Sequence, residues 1–345
     1  MSEDYLLFLN VAYSFSILRP LQAAIRRRGG VAAWFLHGLN PSLLKPDELL
    51  LHSVDEVKRF NPRAVFVPGT WVPDFFPGIK VQVFHGLGIW KKGHFRIRGL
   101  FDLYCTHGPA TTLPFQELAE RYRYFRVVQT GWPKVDALFR SASATDREKT
   151  SAVNKPVILY APTFSPAFTS APALAETIRS MAAQGRYHWL IKVHPLMDQG
   201  IVDMYRRMEC RDLTFVEDPD ILPCLRAADV MLTDESSVVA EFLLLGKPVV
   251  TFRNSSPGPY LLNVLHTSEL EGAIGAALND AGDMKRHADE FIRMNHPYDD
   301  GMSSERVLDA ADRFIDQYKG RLKAKPPNVW RKIKIRRRMR YYRLR

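Results

Sequence analysis

Residues 228–250 read ADVMLTDESSVVAEFLLLGKPVV. Val230–Thr233 has the apolar, strand-like character of a buried β-segment, and Asp234-Glu235-Ser236-Ser237 follows it directly. An apolar helical stretch comes next, and Gly246-Lys247-Pro248 stops it before another apolar run. Strand, polar turn, helix and second strand make up the repeating unit of a parallel sheet. Ser236 and Ser237 are expected at the helix N-terminus, where free backbone N–H groups and the positive dipole end favour a phosphate. Glu241, about one turn later, is placed to take a ribose hydroxyl pair. An ordinary N-cap needs only one of these polar side chains, so four in succession point to a ligand.

The same grammar extends outward in both directions. The second half predicts further strands at Val157–Tyr160, Trp189–Val193, Thr214–Val216 and Pro248–Phe252. The first half predicts them at Tyr5–Leu9, Val31–Leu36, Ala64–Val67, Val81–Phe84, Leu103–Thr106 and Arg126–Gln129. Helical patterns lie between, from Ser16–Arg28 to Ser303–Tyr318. Near-continuous apolar strands alternating with helices mean parallel sheets covered on both faces. The fold class is therefore α/β, with two Rossmann-like parallel-sheet domains facing across a cleft. Residues 141–154 are polar and small, which divides the chain into domains at 1–150 and 151–320, followed by a basic aromatic tail at 321–345.

Five polar residues stand just past predicted strand ends: His85, His107, Thr163, His194 and Asp234. Ligands of open parallel sheets bind outside the carboxyl ends of the strands, so this placement marks a binding region. His85 lies in VFHGLGIWKKG, where Gly86 allows close backbone approach and Lys91 and Lys92 can neutralise phosphate. A histidine there suits general-base work, its ordinary pKa being ~6.5; the competing reading is a turn histidine bonded to backbone. His194-Pro195 carries the same two readings. His107 either lines the cleft or stabilises its turn, and Trp132 reads as packing. There is no HExxH, CxxC pair, Walker loop or GxGxxG after the first strand, so no metal is expected and dehydrogenase or kinase chemistry is disfavoured.

The net charge of +11 is unevenly distributed. Twelve Lys/Arg and no acid fall in Arg321–Arg345, which leaves the remaining body near neutral and argues against a specific nucleic-acid groove. Trp330, Tyr341 and Tyr342 among those cations suit the surface of an anionic membrane. Ser2-Glu3-Asp4 puts acids where a signal peptide is basic, and Tyr5–Leu18 is interrupted and short for a span. The reading is a cytoplasmic protein, peripherally associated with the inner face of the cell membrane. Cys105, Cys210 and Cys224 are scattered, as in a reducing compartment.

The ordered segments HGLGIWKKG, THG, TGWPKVDAL, ILYAPTF, IKVHP, the Asp229–Val250 block and PYDDGMSSERV resemble the CDP-glycerol glycerophosphotransferases. These are teichoic-acid primases and polymerases of GT-B fold. The resemblance spans about Val81–Val307. It implies transfer of glycerol phosphate from CDP-glycerol, as donor substrate with no separate cofactor, to a glycan or lipid-linked acceptor, releasing CMP. It implies essential roles for His85 and His194, pyrophosphate binding by Ser236 and Ser237, and a donor role for Glu241. Asp300, Gly301, Ser304 and Arg306 fall on its last polar block, with Ser304 and Arg306 as phosphate or acceptor contacts. HGTPLK stands here as HGLGIWKK and TDYSS as TDESS, so the acceptor and the exact alditol stay open. Two other classes also stay open: a nucleotide-sugar glycosyltransferase or UDP-sugar epimerase of GT-B fold, and a non-catalytic nucleotide-binding envelope scaffold.

Overall fold

The computed structural model describes residues 4–87, 93–140, 155–218, 220–279 and 282–343. It divides into two compact units: Met1–Phe139 together with Met294–Arg345, and Arg140–Arg293.

The first unit holds seven strands: β1 (Asp4–Leu9), β2 (Val31–Leu36), β3 (Leu49–Leu50), β4 (Ala64–Val67), β5 (Ile79–Gln82), β6 (Leu103–Thr106) and β7 (Arg126–Gln129). Their order is β3-β2-β1-β4-β5-β6-β7, with every neighbouring pair parallel. The second unit holds β8 (Val157–Tyr160), β9 (His188–Ile191), β10 (Leu213–Phe215), β11 (Val230–Thr233), β12 (Val249–Phe252) and β13 (Leu262–Val264). Their order is β10-β9-β8-β11-β12-β13, again all parallel. Counted from the start of each unit, both sheets place their first six strands as 3-2-1-4-5-6, the Rossmann order. The order reverses between β1 and β4 in one unit and between β8 and β11 in the other, and the crevice at such a reversal is where ligands bind.

Central strands are buried along their whole length, as their unbroken apolar runs predict. Leu6, Phe8, Val65 and Phe115 anchor one core; Ile158, Trp189, Leu232 and Ile274 anchor the other. Two strands are absent from the sequence reading. β3 is two residues long, too short to show a period, and β13 carries the polar Asn263. β5 also ends two residues before the predicted Phe84, and β9 ends at Ile191. His85 and His194 therefore stand three residues beyond their strands, in the loops themselves.

The chain returns to the first unit at Met294. Helix Ser303–Gln317 lies beside helix Phe15–Arg27, and Glu305 accepts from Arg27 at 2.7 Å and Arg28 at 2.8 Å. The sequence reading keeps this helix with residues 151–320, because helical periodicity does not say which sheet a helix covers.

Residues 321–343 are likewise more than a tail. Val329–Met339 form a helix whose Ile335, with Tyr341 just beyond, is buried in the first unit's core. Lys325 pairs with Asp102 at 2.7 Å and Arg336 with Asp74 at 3.5 Å, while Asn328 donates to the carbonyls of Arg98 and Gly99 at 3.1 Å.

Candidate functional site

In the six-stranded unit, the loops leaving β8 and β11 flank the reversal of strand order, and Asp234 ties them together. Its Oδ1 accepts from the Thr163 backbone N–H at 2.8 Å, and its Oδ2 accepts from both the N–H and the hydroxyl of Ser170 at 2.8 Å. Burial raises its carboxyl above the ordinary range, while the Ser170 and Thr163 donors pull it back. The Tyr160 hydroxyl meets Ser170 Oγ at 2.8 Å, and Thr233 Oγ1 donates to the Ala161 carbonyl at 2.7 Å.

Glu235 faces the other way. Its Oε1 accepts from the Ser255 N–H at 2.7 Å, and Asn254 donates to the Asp234 carbonyl at 3.0 Å, so the loop after β12 is braced to the same turn. Asp234 and Glu235 are thus committed to holding loops. Ser236 is half-buried and Ser237 exposed, and among the described residues neither hydroxyl makes a side-chain hydrogen bond. The helix that follows is shorter than its sequence suggests. It spans Val239–Leu243 with Val238 at its cap, so the serines sit in the turn ahead of the helix. Glu241 is buried within that short helix.

His194 is exposed at the end of the segment leaving β9, and its ring stacks on Phe164 at 4.4 Å. Nδ1 accepts from the Leu196 N–H at 3.1 Å, which places the neutral ring's proton on Nε2. Desolvation, then the charge of Lys192, holds His194 below the usual histidine range. At neutral pH the ring is therefore a hydrogen-bond donor through Nε2, suited to a phosphate oxygen. Phe164, from the loop after β8, ties the ring to that loop.

In the seven-stranded unit, Phe84 adopts φ 55°, an uncommon left-handed conformation for a bulky residue, and the chain turns there into His85. Its ring is held against His94, His107 and Phe115 at 5.2–5.4 Å. His85 is half-buried, with Tyr13 from the loop after β1 at 6.4 Å between ring centroids. Gly86 needs neither a positive φ nor a close neighbour, and a side chain there would meet open space. Lys91 and Lys92 lie outside the described residues.

His107 is fully buried between Phe84 and Trp132. Burial, with His296 and His94 nearby, drives its pKa well below the histidine range. A Cβ on Gly108 would meet the Asn295 backbone at 2.6 Å, and one on Gly131, at φ 82°, would meet Ser303 Oγ at 2.4 Å. Both glycines thus allow residues 294–303 to pack against the THG and TGWP loops. His296 Nε2 accepts from the Trp132 N–H at 2.9 Å in the same contact.

Asp136, which is not among the candidate site residues of the sequence, ties this region together. Its two carboxylate oxygens accept from the N–H groups of Ser303 and Ser304, each at 2.8 Å, capping a helix with no side-chain cap of its own. Ser304 is completely buried there, and Arg306 pairs with Asp300 while its guanidinium lies 3.9 Å from the Tyr298 ring centre. Ser304 Oγ and Arg306 Nη1 are buried there without a hydrogen-bond partner among the described residues. The only sequence signal for Asp136 is an acid among apolar residues in GWPKVDAL. Asp136→Ala is expected to lower stability by about 2 kcal/mol in urea unfolding, the upper end for a lost cap with a favourable dipole interaction. Asp136→Asn should lose less, because one oxygen remains to accept.

Comparisons with known proteins fit this geometry. A family model described as CDP-Glycerol:Poly(glycerophosphate) glycerophosphotransferase matches residues 109–311. The teichoic acid glycerol-phosphate primase of Bacillus subtilis is 27% identical over 195 residues, covering 50% of this chain and 49% of that protein. The teichoic acid ribitol-phosphate polymerase TarK of Staphylococcus aureus is 26% identical over 273 residues, covering 66% and 51%. The chain thus spans about half the length of the curated relatives it matches. Among solved structures, the wall teichoic acid polymerase TagF superposes with TM-score 0.64 at 15% identity, covering 91% of this chain and 89% of that one. A putative UDP-N-acetylglucosamine 2-epimerase from Listeria monocytogenes gives 0.65 at 15%, covering 92% and 98%. These likenesses establish the GT-B-like fold; they do not choose between the chemistries.

Proposed function

The chain belongs to the CDP-glycerol:poly(glycerophosphate) glycerophosphotransferase family, and from that premise we propose that it moves glycerol phosphate, or a related alditol phosphate, from a CDP-linked donor to an acceptor hydroxyl of a cell-envelope glycan or lipid-linked acceptor. In this reading the acceptor hydroxyl gives its proton to His85 and its oxygen bonds to the phosphorus that bears the alditol. The bond from that phosphorus to the CMP oxygen breaks, and CMP leaves with the electron pair. Ser236, Ser237 and the Nε2–H of His194 donate to the phosphate oxygens as charge gathers on them. Thr163, Asp234 and Glu235 hold the turn that presents the serines.

One observation supports this reading above the rest. At the reversal of strand order, Asp234 and Glu235 are spent on loop bonds, whereas the hydroxyls of Ser236 and Ser237 are left for a ligand. The double variant Ser236→Ala/Ser237→Ala should therefore reduce transfer from radiolabelled CDP-glycerol by about 10²-fold or more, two hydrogen bonds to charged oxygens being lost. Calorimetry against CDP-glycerol, CDP-ribitol and UDP-sugars separates the alternatives. Tight binding of a UDP-sugar alone would replace this reading with a nucleotide-sugar enzyme. Donor binding without turnover on any envelope acceptor would replace it with a scaffold.

The C-terminal helix supports a place at an anionic membrane, on the cytoplasmic side. Its outer face shows Trp330, 84% exposed, with Ile333 and Arg337 at helical spacing on the same side. Among the described residues no helix is long and apolar enough to cross a bilayer.

A further inference from the structure

Beside that outer face lies a concavity of about 160 Å³, lined by Thr70, Trp71, Arg98, Arg331, Lys334, Ile335 and Arg338. Thr70 and Trp71 belong to the loop leaving β4, the strand at which the order of the seven-stranded sheet reverses. The docked C-terminal helix closes the other side. Four cations converge here and, among the described residues, none of them pairs with a carboxylate. Arg98 and Arg331 use their guanidinium groups on backbone carbonyls and Asn328, and Arg338 lies 4.9 Å from the Trp71 ring centre. The nearby Asp74 is taken by Arg336. Arg98 is held below the usual arginine range by burial and by its neighbours Arg96 and Arg331, as expected where like charges lack a counter-ion.

We propose that this concavity is a binding site for a terminal phosphate or diphosphate group. A pocket for a drug-sized ligand or nucleotide is about 300–1,000 Å³, so this one is sized for a headgroup and not for the CDP-linked donor. Guanidinium forks and an ammonium around a small opening match phosphate oxygens, and Thr70 adds a neutral donor. With Trp330 and Ile333 on the adjoining face, the site receives a phosphorylated headgroup at a membrane surface. The step from headgroup to acceptor rests on the phosphotransferase reading, whereas the binding itself does not.

The test uses the full chain and two probes, inorganic pyrophosphate by calorimetry and phosphatidylcholine vesicles carrying phosphatidic acid by sedimentation. Arg98→Gln/Lys334→Gln should weaken binding of one or both probes by at least about tenfold, two charge-assisted contacts being lost. Weakening with both probes means a site open to free anions and headgroups, and weakening with vesicles alone means a site for the lipid-borne group. Arg337→Gln/Arg340→Gln removes equal charge from outside the pocket. It should lower binding to phosphatidic acid and phosphatidylglycerol vesicles alike and leave pyrophosphate binding unchanged. Unfolding midpoints of both variants should match the parent. Equal binding of both probes by parent and Arg98→Gln/Lys334→Gln protein would overturn the site, as would vesicle losses no larger than those of the outer pair with pyrophosphate unbound. Either result would leave donor turnover by Ser236 and Ser237 untouched, which separates this failure from failure of the enzymatic reading.

Discussion

Asp234→Ala is expected to cost about 3 kcal/mol of stability or more and to abolish donor binding together with it. The carboxylate accepts three hydrogen bonds from Thr163 and Ser170, and its side chain is buried. Truncation leaves the Ser170 N–H buried without an acceptor and the Thr163 N–H in the same position at the edge of the loop. Each such orphan costs about 1–3 kcal/mol. The Ser170 hydroxyl keeps its Tyr160 partner, so that bond survives and limits the damage. Asp234→Asn is the sharper variant, because it conserves volume and retains one acceptor while turning an amide NH₂ toward an existing N–H donor. Its loss should fall near the lower end, about 1–2 kcal/mol. Urea unfolding measures both losses, and calorimetry with CDP-glycerol measures the binding. If Asp234 instead contacted the ligand and not the loops, Asp234→Asn would lose affinity with an unchanged unfolding midpoint.

Asp234, Ser236 and Ser237 sit where the sequence expects a site because a buried strand needs apolar residues up to its last position, so polarity begins where the sheet ends. The fold was legible for the same reason: β4, β6, β8 and β11 fall on their predicted residues, each a fully or largely apolar four-residue run. The division of labour within the turn was not legible. Which acid holds loops and which hydroxyl stays open depends on Ser170 and Ser255, partners 64 and 20 residues away in the chain. Asp136 and Ser303, 167 residues apart, escaped for the same reason, as did the docking of Ile335 and Tyr341 into the first unit. Local periodicity reports which residues are buried; it carries no address for what buries them. The charge run at the C-terminus reads as a basic aromatic tail for a membrane surface, whereas Ile335 and Tyr341, the latter read as an interfacial aromatic, form its buried inner face.

Loss of His85 is expected to produce the largest change in rate with the least change in fold. His85→Ala should lower kcat by about 10²–10⁴-fold, the usual contribution of a positioned general base. The residue is half-buried in a loop, so the unfolding free energy should stay within about 1 kcal/mol of the parent. Phe84 gives the reason to expect function here. A bulky residue at φ 55° carries a backbone cost of about 1–3 kcal/mol, retained only where surrounding packing enforces it. The aromatic rings of His94, Tyr104, His107 and Phe115 provide that packing, and the product of the turn is the placement of the next residue, His85. His85→Gln separates the two roles a histidine can play there. Glutamine keeps hydrogen-bonding capacity but has no group that titrates near neutrality, so a general base predicts a loss close to that of alanine. A turn-stabilising histidine predicts the reverse pattern: His85→Ala lowers the unfolding midpoint, His85→Gln restores it, and transfer from CDP-glycerol follows stability and not the imidazole.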